Sequence, residues 1–231
     1  MNEAAVVLFS GGIDSTTALH WSIRRFAAVS ALIFDYGQRH RLEVTMARRI
    51  ASDLKVAFRV WKIPLRHLLH SALLDEDLAI ADSLAKVRKE KIPASYVPFR
   101  NGIFLSLAAA FAESRNIFDL VAGFNGIDSP DYPDTSELFR RSMERTLNQG
   151  TAARRIGRRF RIHAPLIRMS KAEIIRFGMK LGADYSRSLS CYRGAEIPCG
   201  ACPACDIRRR AFTQLGLEDP LRRRLAKEGK T

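Results

Sequence analysis

The sequence contains no run of eighteen apolar residues, which a membrane-spanning helix would need. Its amino terminus lacks the basic, apolar and small-residue succession of a secretory signal. Acidic side chains are scarce, 24 against 38 basic ones, which gives a formal net charge of +14. Cysteine is absent from most of the sequence, because all four cysteines fall between positions 191 and 205. We therefore expect a cytoplasmic protein without membrane association, built as one large domain or as a domain with an appendage.

The excess of positive charge is spread over arginine pairs and triplets such as Arg24-Arg25, Arg48-Arg49 and Arg208-Arg209-Arg210. Such a balance suits an anionic partner, either nucleic acid or an acidic protein surface. It is equally typical of a solvated surface that steers a charged small molecule. Because no basic motif is interleaved with aromatic residues, a nucleic-acid partner is not favoured.

A strand, a tight turn and a helix start are predicted over residues 6–17. An apolar run leads to two glycines, and an amphipathic helix follows. In that geometry backbone N–H groups converge without partners, and the helix dipole adds partial positive charge. We therefore expect a phosphate site for a nucleotide, formed by Leu8, Phe9, Ser10, Gly11, Gly12, Ile13, Asp14, Ser15 and Thr16.

This loop differs from the common phosphate loops. It has no Gly-Lys-Ser/Thr of a Walker A sequence and no Gly-x-Gly-x-x-Gly. Asp14 would repel phosphates unless a hard cation lay between them, which predicts a Mg²⁺ ion. The pattern Ser-Gly-Gly-x-Asp-Ser after an apolar strand resembles the PP-loop of the ATP pyrophosphatases. That resemblance implies that ATP loses pyrophosphate when a substrate oxygen attacks its α-phosphorus and forms an adenylate.

The rest of the chain alternates between predicted strands and helices, which indicates a doubly wound, mostly parallel α/β sheet. Strands are predicted over 28–35, 58–63, 119–124 and 158–163, and helices over 41–54, 103–113, 137–148 and 170–182. The last helix is predicted to begin with a capping box formed by Ser170 and Glu173. Polar loops at 35–40 and 125–134 each follow a strand, where open α/β sheets bind ligands. Residues 73–95 are expected to form a mobile insertion or lid, and 221–231 a loose basic tail.

The cysteines have the spacing Cys-x7-Cys-x2-Cys-x2-Cys, and four thiolates suit a closed, structural zinc site. The ligands would be Cys191, Cys199, Cys202 and Cys205. An iron–sulfur cluster is the alternative, because similar spacings occur in ferredoxin-like ligand sets. We expect a PP-loop domain over 1–185 and a small carboxyl-terminal zinc lobe with a basic tail over 186–231.

Over nearly its whole length the chain resembles the 7-cyano-7-deazaguanine synthase family of PP-loop enzymes. The matching stretches are residues 10–15, 34–40, 100–101, 103–109, 132–134, 170–175, 190–192 and 199–205, with Asn125 and Gly150-Thr151. The resemblance implies that ATP activates 7-carboxy-7-deazaguanine, that ammonia gives the amide, and that a second activation leaves the nitrile. It also implies ATP, Mg²⁺ and Zn²⁺ as cofactors and a homo-oligomer.

The resemblance also implies roles for residues beyond the loop. We expect Asp14, Arg100 and Lys171 to act on the phosphates and their metal, and Gln38 and Arg39 to bind the nucleotide. Ordinary alternatives remain open, a surface ion pair for Arg100 and an exposed helix-start lysine for Lys171. The deazaguanine base is expected to contact Asn125, Asp128, Tyr132 and Asp134. The Asp134 carboxylate would match the N1–H and 2-amino edge, unless it only shapes the turn after Pro133.

The chain departs from the family pattern beside Arg100. Pro-Gly-Arg-Asn-Leu is expected, and this sequence has Pro98-Phe99-Arg100-Asn101-Gly102. We expect the Phe99 ring to narrow or reshape the pocket, which leaves the acceptor open. Ammonia is the leading acceptor, and a protein or other macromolecular amine is the first alternative. A tRNA-modifying PP-loop enzyme and a scaffold that only binds nucleotide are the remaining alternatives.

Overall fold

A computed structural model describes residues 2–87, 91–125 and 132–230. Five parallel strands form one sheet. The strands are β1 (Asn2–Leu8), β2 (Phe26–Asp35), β3 (Ala57–Lys62), β4 (Asp119–Val121) and β5 (Arg161–His163). The helices are α1 (Ile13–Arg25), α2 (Leu42–Asp53), α3 (Leu84–Val87), α4 (Arg100–Glu113), α5 (Glu137–Gly150), α6 (Lys171–Lys180), α7 (Pro203–Gln214) and α8 (Pro220–Lys227). Among the described residues no helix combines the length and apolarity needed to cross a membrane.

The strand order is β3-β2-β1-β4-β5, so the direction of winding reverses between β1 and β4. Successive side chains of a strand point to opposite faces, and β1 buries both of its faces. Val6 joins a core that contains Phe104 and Leu105 of α4. Val7 joins a second core with residues of α1, α6 and α7. Helices therefore cover both faces of the sheet, and the predicted doubly wound α/β fold is confirmed.

Several helix boundaries follow from local sequence. The predicted capping box at α6 is present, because the Ser170 hydroxyl accepts from the Glu173 N–H and the Glu173 carboxylate accepts from the Ser170 N–H. Ser136 caps α5 by accepting from the Phe139 N–H. Such caps satisfy donors that a helix end leaves unpaired. The strand predicted over 119–124 is shorter, since β4 ends at Val121.

The carboxyl terminus differs from the loose tail that the sequence predicted. Residues 220–227 form α8, whose Asp219 carboxylate accepts a hydrogen bond from the Leu221 N–H at 2.9 Å. Arg208 of α7 binds the same carboxylate through two hydrogen bonds of 2.6 and 2.7 Å. This pair is buried, and Leu221 and Leu225 pack into a core beside the cysteines. The prediction was wrong because the partners that fix this helix lie outside it in sequence.

The insertion predicted at 73–95 contains α3 and many turns, and residues 88–90 lie outside the described part. Leu73, Leu74 and Ile80 are buried. The Arg39 guanidinium donates to the backbone carbonyls of Ala72, Asp75 and Leu78. The described part of the insertion therefore packs on the domain. The predicted boundary after residue 185 remains a prediction.

Candidate active site

A cavity of about 320 Å³ opens where β1 and β4 end. In open α/β sheets the winding reversal leaves a crevice at the carboxyl ends of the strands. Its volume falls within the usual range for small-molecule pockets. The polar and charged side chains along its wall include Ser10, Asp14, Ser15, Tyr36, His40, Glu43, Ser95, Arg100, Asn101, Asn125, Tyr132, Lys171, Tyr192 and Arg208. The loops after β1, β2 and β4 all contribute, as the sequence predicted.

The loop after β1 has the predicted strand, turn and helix geometry. Gly12 precedes α1, and no side chain caps that helix. The Ser15 hydroxyl accepts from the Ser10 N–H at 3.2 Å and lies 3.1 Å from the Ser10 hydroxyl. Gly11 has a φ of +80°, and a β-carbon there would lie 3.0 Å from the Ala47 backbone. The turn thus requires glycine and leaves an uncapped helix end, which suits an anion.

Asp14 and Lys171 form an ion pair at the edge of this loop. The Lys171 ammonium donates to both Asp14 carboxylate oxygens at 2.6 Å. Lys171 is the first residue of α6, where a positive charge opposes the helix dipole. Lys171 is not the exposed helix-start lysine that the sequence left open, because its side chain is only 16% exposed. The charge of Asp14 is thereby neutralised by Lys171, so repulsion by Asp14 is weaker support for Mg²⁺ than the sequence indicated.

Arg100 points to the same cavity from the amino end of α4. Its guanidinium donates to the Tyr36 hydroxyl at 2.9 Å. Burial opposes the Arg100 charge, but the Tyr36 contact and nearby carboxylates outweigh it, so the pKa of Arg100 is raised above its usual value. Burial also raises the pKa of Tyr36 to about 12. Arg100 is therefore charged and Tyr36 neutral at physiological pH, and Arg100 is not the surface ion pair that was left open.

Most of the residues predicted to bind the nucleotide line the cavity, namely Leu8, Phe9, Ser10, Gly12, Ile13, Asp14 and Ser15. Gly11, Thr16, Gln38 and Arg39 do not. The Thr16 hydroxyl is buried without a hydrogen bond in the described part of the chain. Gln38 turns inward, where it accepts from the Tyr36 N–H at 2.8 Å and donates to Glu43 at 3.2 Å. Arg39 holds the insertion, so neither side chain lines the described cavity wall, and a contact of either with a nucleotide remains a prediction.

The residues predicted to bind the base divide in a similar way. Asn125 and Tyr132 line the cavity, and Asp128 lies outside the described residues. Asp134 is buried, and its carboxylate accepts from the Asn101 N–H at 2.9 Å. It therefore caps α4 beside Arg100 and does not line the described cavity wall. Contact between Asp134 and a bound base remains a prediction.

Phe99 does not narrow the pocket. Its ring is 52% exposed and is not part of the cavity wall. A β-carbon on Gly102 would lie 2.3 Å from that ring, which therefore covers Gly102. Phe139 contacts the ring edge to face at 5.9 Å between centroids. The prediction was wrong because the left-handed backbone of Phe99 directs its side chain over the first turn of α4.

Many wall residues were not predicted as site residues, among them Tyr36, Glu43, Gly123 and Tyr192. Tyr36 belongs to the loop that the sequence marked as polar and following a strand. Glu43 is in the first turn of α2, where an acidic residue also complements the helix dipole. The sequence signal was the loop itself, and it did not distinguish the side chains that face inward.

The four cysteines gather into one cluster. The sulfur atoms of Cys191, Cys199, Cys202 and Cys205 lie within 4.8 Å of one another. A zinc–sulfur bond of about 2.3 Å in a tetrahedron separates sulfurs by about 3.8 Å, and the Sγ atoms of Cys199 and Cys205 lie 4.0 Å apart. Hydrogen bonds from the Cys202 and Cys205 thiols hold the pKa of Cys191 well below its usual range. The residues therefore fit a tetrahedrally bound metal ion.

We expect Gly123→Ala to impair the phosphate loop. A β-carbon at Gly123 would lie 2.9 Å from the Asp14 carbonyl carbon and the Ser15 nitrogen, both backbone atoms that cannot swing aside. Overpacking of this kind costs about 1–3 kcal/mol, so thermal unfolding should begin a few degrees lower and ATP turnover should fall. Gly150→Ala is the matched control, because nothing lies within 4 Å of a β-carbon there. Equal activity of both variants would contradict close contact between the phosphate loop and the segment that follows β4.

The chain resembles known proteins over most of its length. The family described as Queuosine biosynthesis protein QueC matches residues 4–216. The 7-cyano-7-deazaguanine synthase of Thermoplasma acidophilum is 43% identical, over 95% of this chain and 91% of the relative. The enzyme of that name from Methylococcus capsulatus is 44% identical, over 96% of this chain and 99% of the relative.

Among solved structures, a 4-thiouridine synthetase in complex with RNA and ATP is similar in fold. Its TM-score is 0.50 at 20% identity, over 93% of this chain and 50% of that one. This likeness agrees with the doubly wound sheet. The extent of the family match and the identity to the curated relatives show that the chain belongs to the queuosine biosynthesis protein QueC family.

Proposed function

We propose that this protein converts 7-carboxy-7-deazaguanine and ammonia to 7-cyano-7-deazaguanine, at the expense of ATP, through an adenylate and an amide. The proposal rests on one observation, a single cavity that joins the PP-loop to an aromatic wall. The loop supplies donors for phosphates, and Phe34, Tyr36, Phe104, Tyr132 and Tyr192 supply surfaces for a planar base. Curated relatives are named for this product.

The chemistry explains why such a cavity needs ATP. A carboxylate oxygen and an amide oxygen are poor leaving groups until each is bonded to phosphorus. The acid oxygen attacks the α-phosphorus, pyrophosphate departs, and AMP then leaves when nitrogen bonds to the carbon. Lys171, Arg100 and the uncapped amino end of α1 would stabilise the negative charge that develops on the phosphates.

Two metals belong to this proposal. Mg²⁺ would be held by Asp14 and the phosphates, since ATP and Asp14 would compete for the Lys171 ammonium, and the ion would neutralise charge on the departing pyrophosphate. Zn²⁺ would bind the four cysteines with no open position, so its role would be structural. An assembly of identical subunits in the cytoplasm remains an expectation.

The curated relatives named above give no support to the other acceptors. Neither name refers to ligation of a protein amine or to modification of tRNA. The Phe99 ring, which was the sequence argument for an altered acceptor pocket, lies outside the cavity wall. Ammonia is accordingly the acceptor that we propose.

Incubation with ATP and 7-carboxy-7-deazaguanine should yield AMP and pyrophosphate, and the nitrile only when ammonium is added. The PP-loop lacks a Walker lysine and is suited to hold pyrophosphate rather than to transfer the γ-phosphate. Mass spectrometry of the base and chromatography of the nucleotides would follow both products. Release of ADP and phosphate instead would contradict the roles assigned to this loop.

A further inference from the structure

A second polar cluster lines the cavity beside the Arg100 and Tyr36 pair. Glu43 and His40 both belong to the wall. One Glu43 oxygen, Oε1, accepts from the Gln38 amide at 3.2 Å and lies 3.2 Å from His40 Nε2. The other oxygen, Oε2, has no hydrogen bond within the described residues, and the side chain is 14% exposed. The carboxylate is therefore held by one oxygen and free at the other.

The His40 ring packs beside the Glu43 carboxylate in the cavity wall. Nδ1 is buried and has no partner in the described part of the chain. His40 thus restricts the position of Glu43 by contact, and Gln38 does so by donating a hydrogen bond from the same loop.

The proposed reaction must remove several protons from nitrogen. When ammonia bonds to the acyl carbon and the bond to AMP breaks, the nitrogen loses one proton. When the amide oxygen bonds to the second α-phosphorus and AMP later leaves, the nitrogen loses two more and the nitrile remains. Each step needs a base near the acyl carbon, because a nitrogen that keeps its protons stays positively charged.

Among the described carboxylates, Glu43 suits this task best. Both Asp14 oxygens are bound by Lys171, and Asp134 caps α4 outside the cavity wall. Tyr36 stays protonated because burial raises its pKa to about 12. We propose that Glu43 binds the incoming ammonia and accepts the protons that its nitrogen loses, with His40 and Gln38 as positioning residues. The protons pass from Glu43 to solvent one at a time between steps.

This inference rests on the proposed function. Adenylate formation and nitrogen transfer can be measured separately, so the two proposals can be tested separately. Acid-dependent exchange of pyrophosphate into ATP reports the adenylate and needs no nitrogen, whereas the amide and nitrile need it. Glu43→Gln keeps the shape and the acceptor for Gln38 but removes the basic charge. We expect exchange to stay near the wild-type rate and product formation from ammonium to fall roughly 10²- to 10³-fold, as for the loss of a general base.

Hydroxylamine gives a sharper readout, because it is a weaker base than ammonia and is largely unprotonated at neutral pH. Its capture of the adenylate depends less on a protein base, so hydroxamate formation by Glu43→Gln should be much less impaired than amide formation. Glu43→Asp should recover part of the lost rate. His40→Ala should also retain pyrophosphate exchange and lose product formation from ammonium, but by a smaller factor than Glu43→Gln. The retained exchange would show that the site of this variant is folded.

Asp35→Asn is the matched control. Asp35 is a carboxylate at the end of β2 that pairs with Arg41 and does not line the cavity, so both half-reactions should persist. Wild-type nitrogen transfer by Glu43→Gln would overturn the inference and leave the proposed function intact. Equal loss of exchange and transfer would also overturn it, because a mere counter-ion of Arg100 would affect both. No acid-dependent exchange by the wild type would overturn both proposals.

Discussion

Removing the metal from the four-cysteine cluster is expected to unfold the carboxyl-terminal helices and to abolish activity. Structural zinc contributes roughly 10–16 kcal/mol in zinc-finger peptides, and whole domains are stable by only about 5–15 kcal/mol. The small core beside the cluster, with Leu189, Leu221 and Leu225, would not persist without it. Any single Cys→Ser substitution should therefore give aggregation or partial unfolding.

Unfolding of the carboxyl-terminal helices after metal loss should also disturb the phosphate loop, because a series of contacts connects the two. Cys202 is the residue before α7, and Arg208 of that helix binds the backbone carbonyls of Ser188 and Tyr185. The Tyr185 hydroxyl in turn lies 2.7 Å from the Thr17 hydroxyl in α1. Chelation should thus slow ATP turnover in step with metal loss.

The measurement is direct because every cysteine of the sequence belongs to the cluster. A thiol reagent should find no reactive thiol in the metal-bound protein and all four after chelation, while elemental analysis should find one zinc per chain. A brown sample that contains iron would favour the cluster of iron and sulfur that the spacing also permits. Full activity after complete chelation would contradict a structural metal.

Substituting either member of the Lys171 and Asp14 ion pair should have the second large effect, a loss of catalytic efficiency. Lys171→Ala and Asp14→Ala should each lower kcat/KM for ATP-dependent turnover by roughly 10³- to 10⁵-fold, the range for groups that stabilise charge on a transferring phosphoryl group. The two residues act as one pair, with Nζ within 2.6 Å of both carboxylate oxygens. The double variant should therefore lose little more than either single variant.

Stability should not follow activity in this series. Lys171 opens α6, where its charge opposes the dipole, so alanine there should leave the melting temperature nearly unchanged. Lys180→Ala is the control, because Lys180 ends the same helix and is exposed. Additive losses in the double variant, or near wild-type turnover by Lys171→Ala, would contradict a shared role on the phosphates.

Features with local causes were predictable from the sequence. The apolar run before Gly11 defined β1, and the Ser170 and Glu173 pair marked the start of α6. The spacing of the cysteines brought their sulfurs into one cluster, because two-residue gaps form tight turns around a metal. The alternation of elements also predicted that polar loops would meet at the carboxyl ends of the strands.

Features with distant causes were not predictable. The order of the strands, which places β4 beside β1, depends on packing across the whole chain. Helix α8 depends on Arg208 and on the core beside the cysteines. Between β2 and the first turn of α2, sequence alone did not show that Gln38 turns inward while Glu43 reaches the cavity.

The packing of Phe99 on Gly102 has a consequence for how relatives of this chain vary. Phe99 has a φ of +52°, a region that favours glycine, and its ring fills the space that a β-carbon at position 102 would need. Compared with Pro-Gly-Arg-Asn-Leu, a glycine and a large apolar residue have exchanged places across one helical turn. Leucine at position 102 alone would collide with the Phe99 ring. Glycine at position 99 alone would leave the first turn of α4 without an apolar side chain to cover it. Positions 99 and 102 should therefore covary among relatives. An alignment read one position at a time would count two independent differences, although the two substitutions compensate each other.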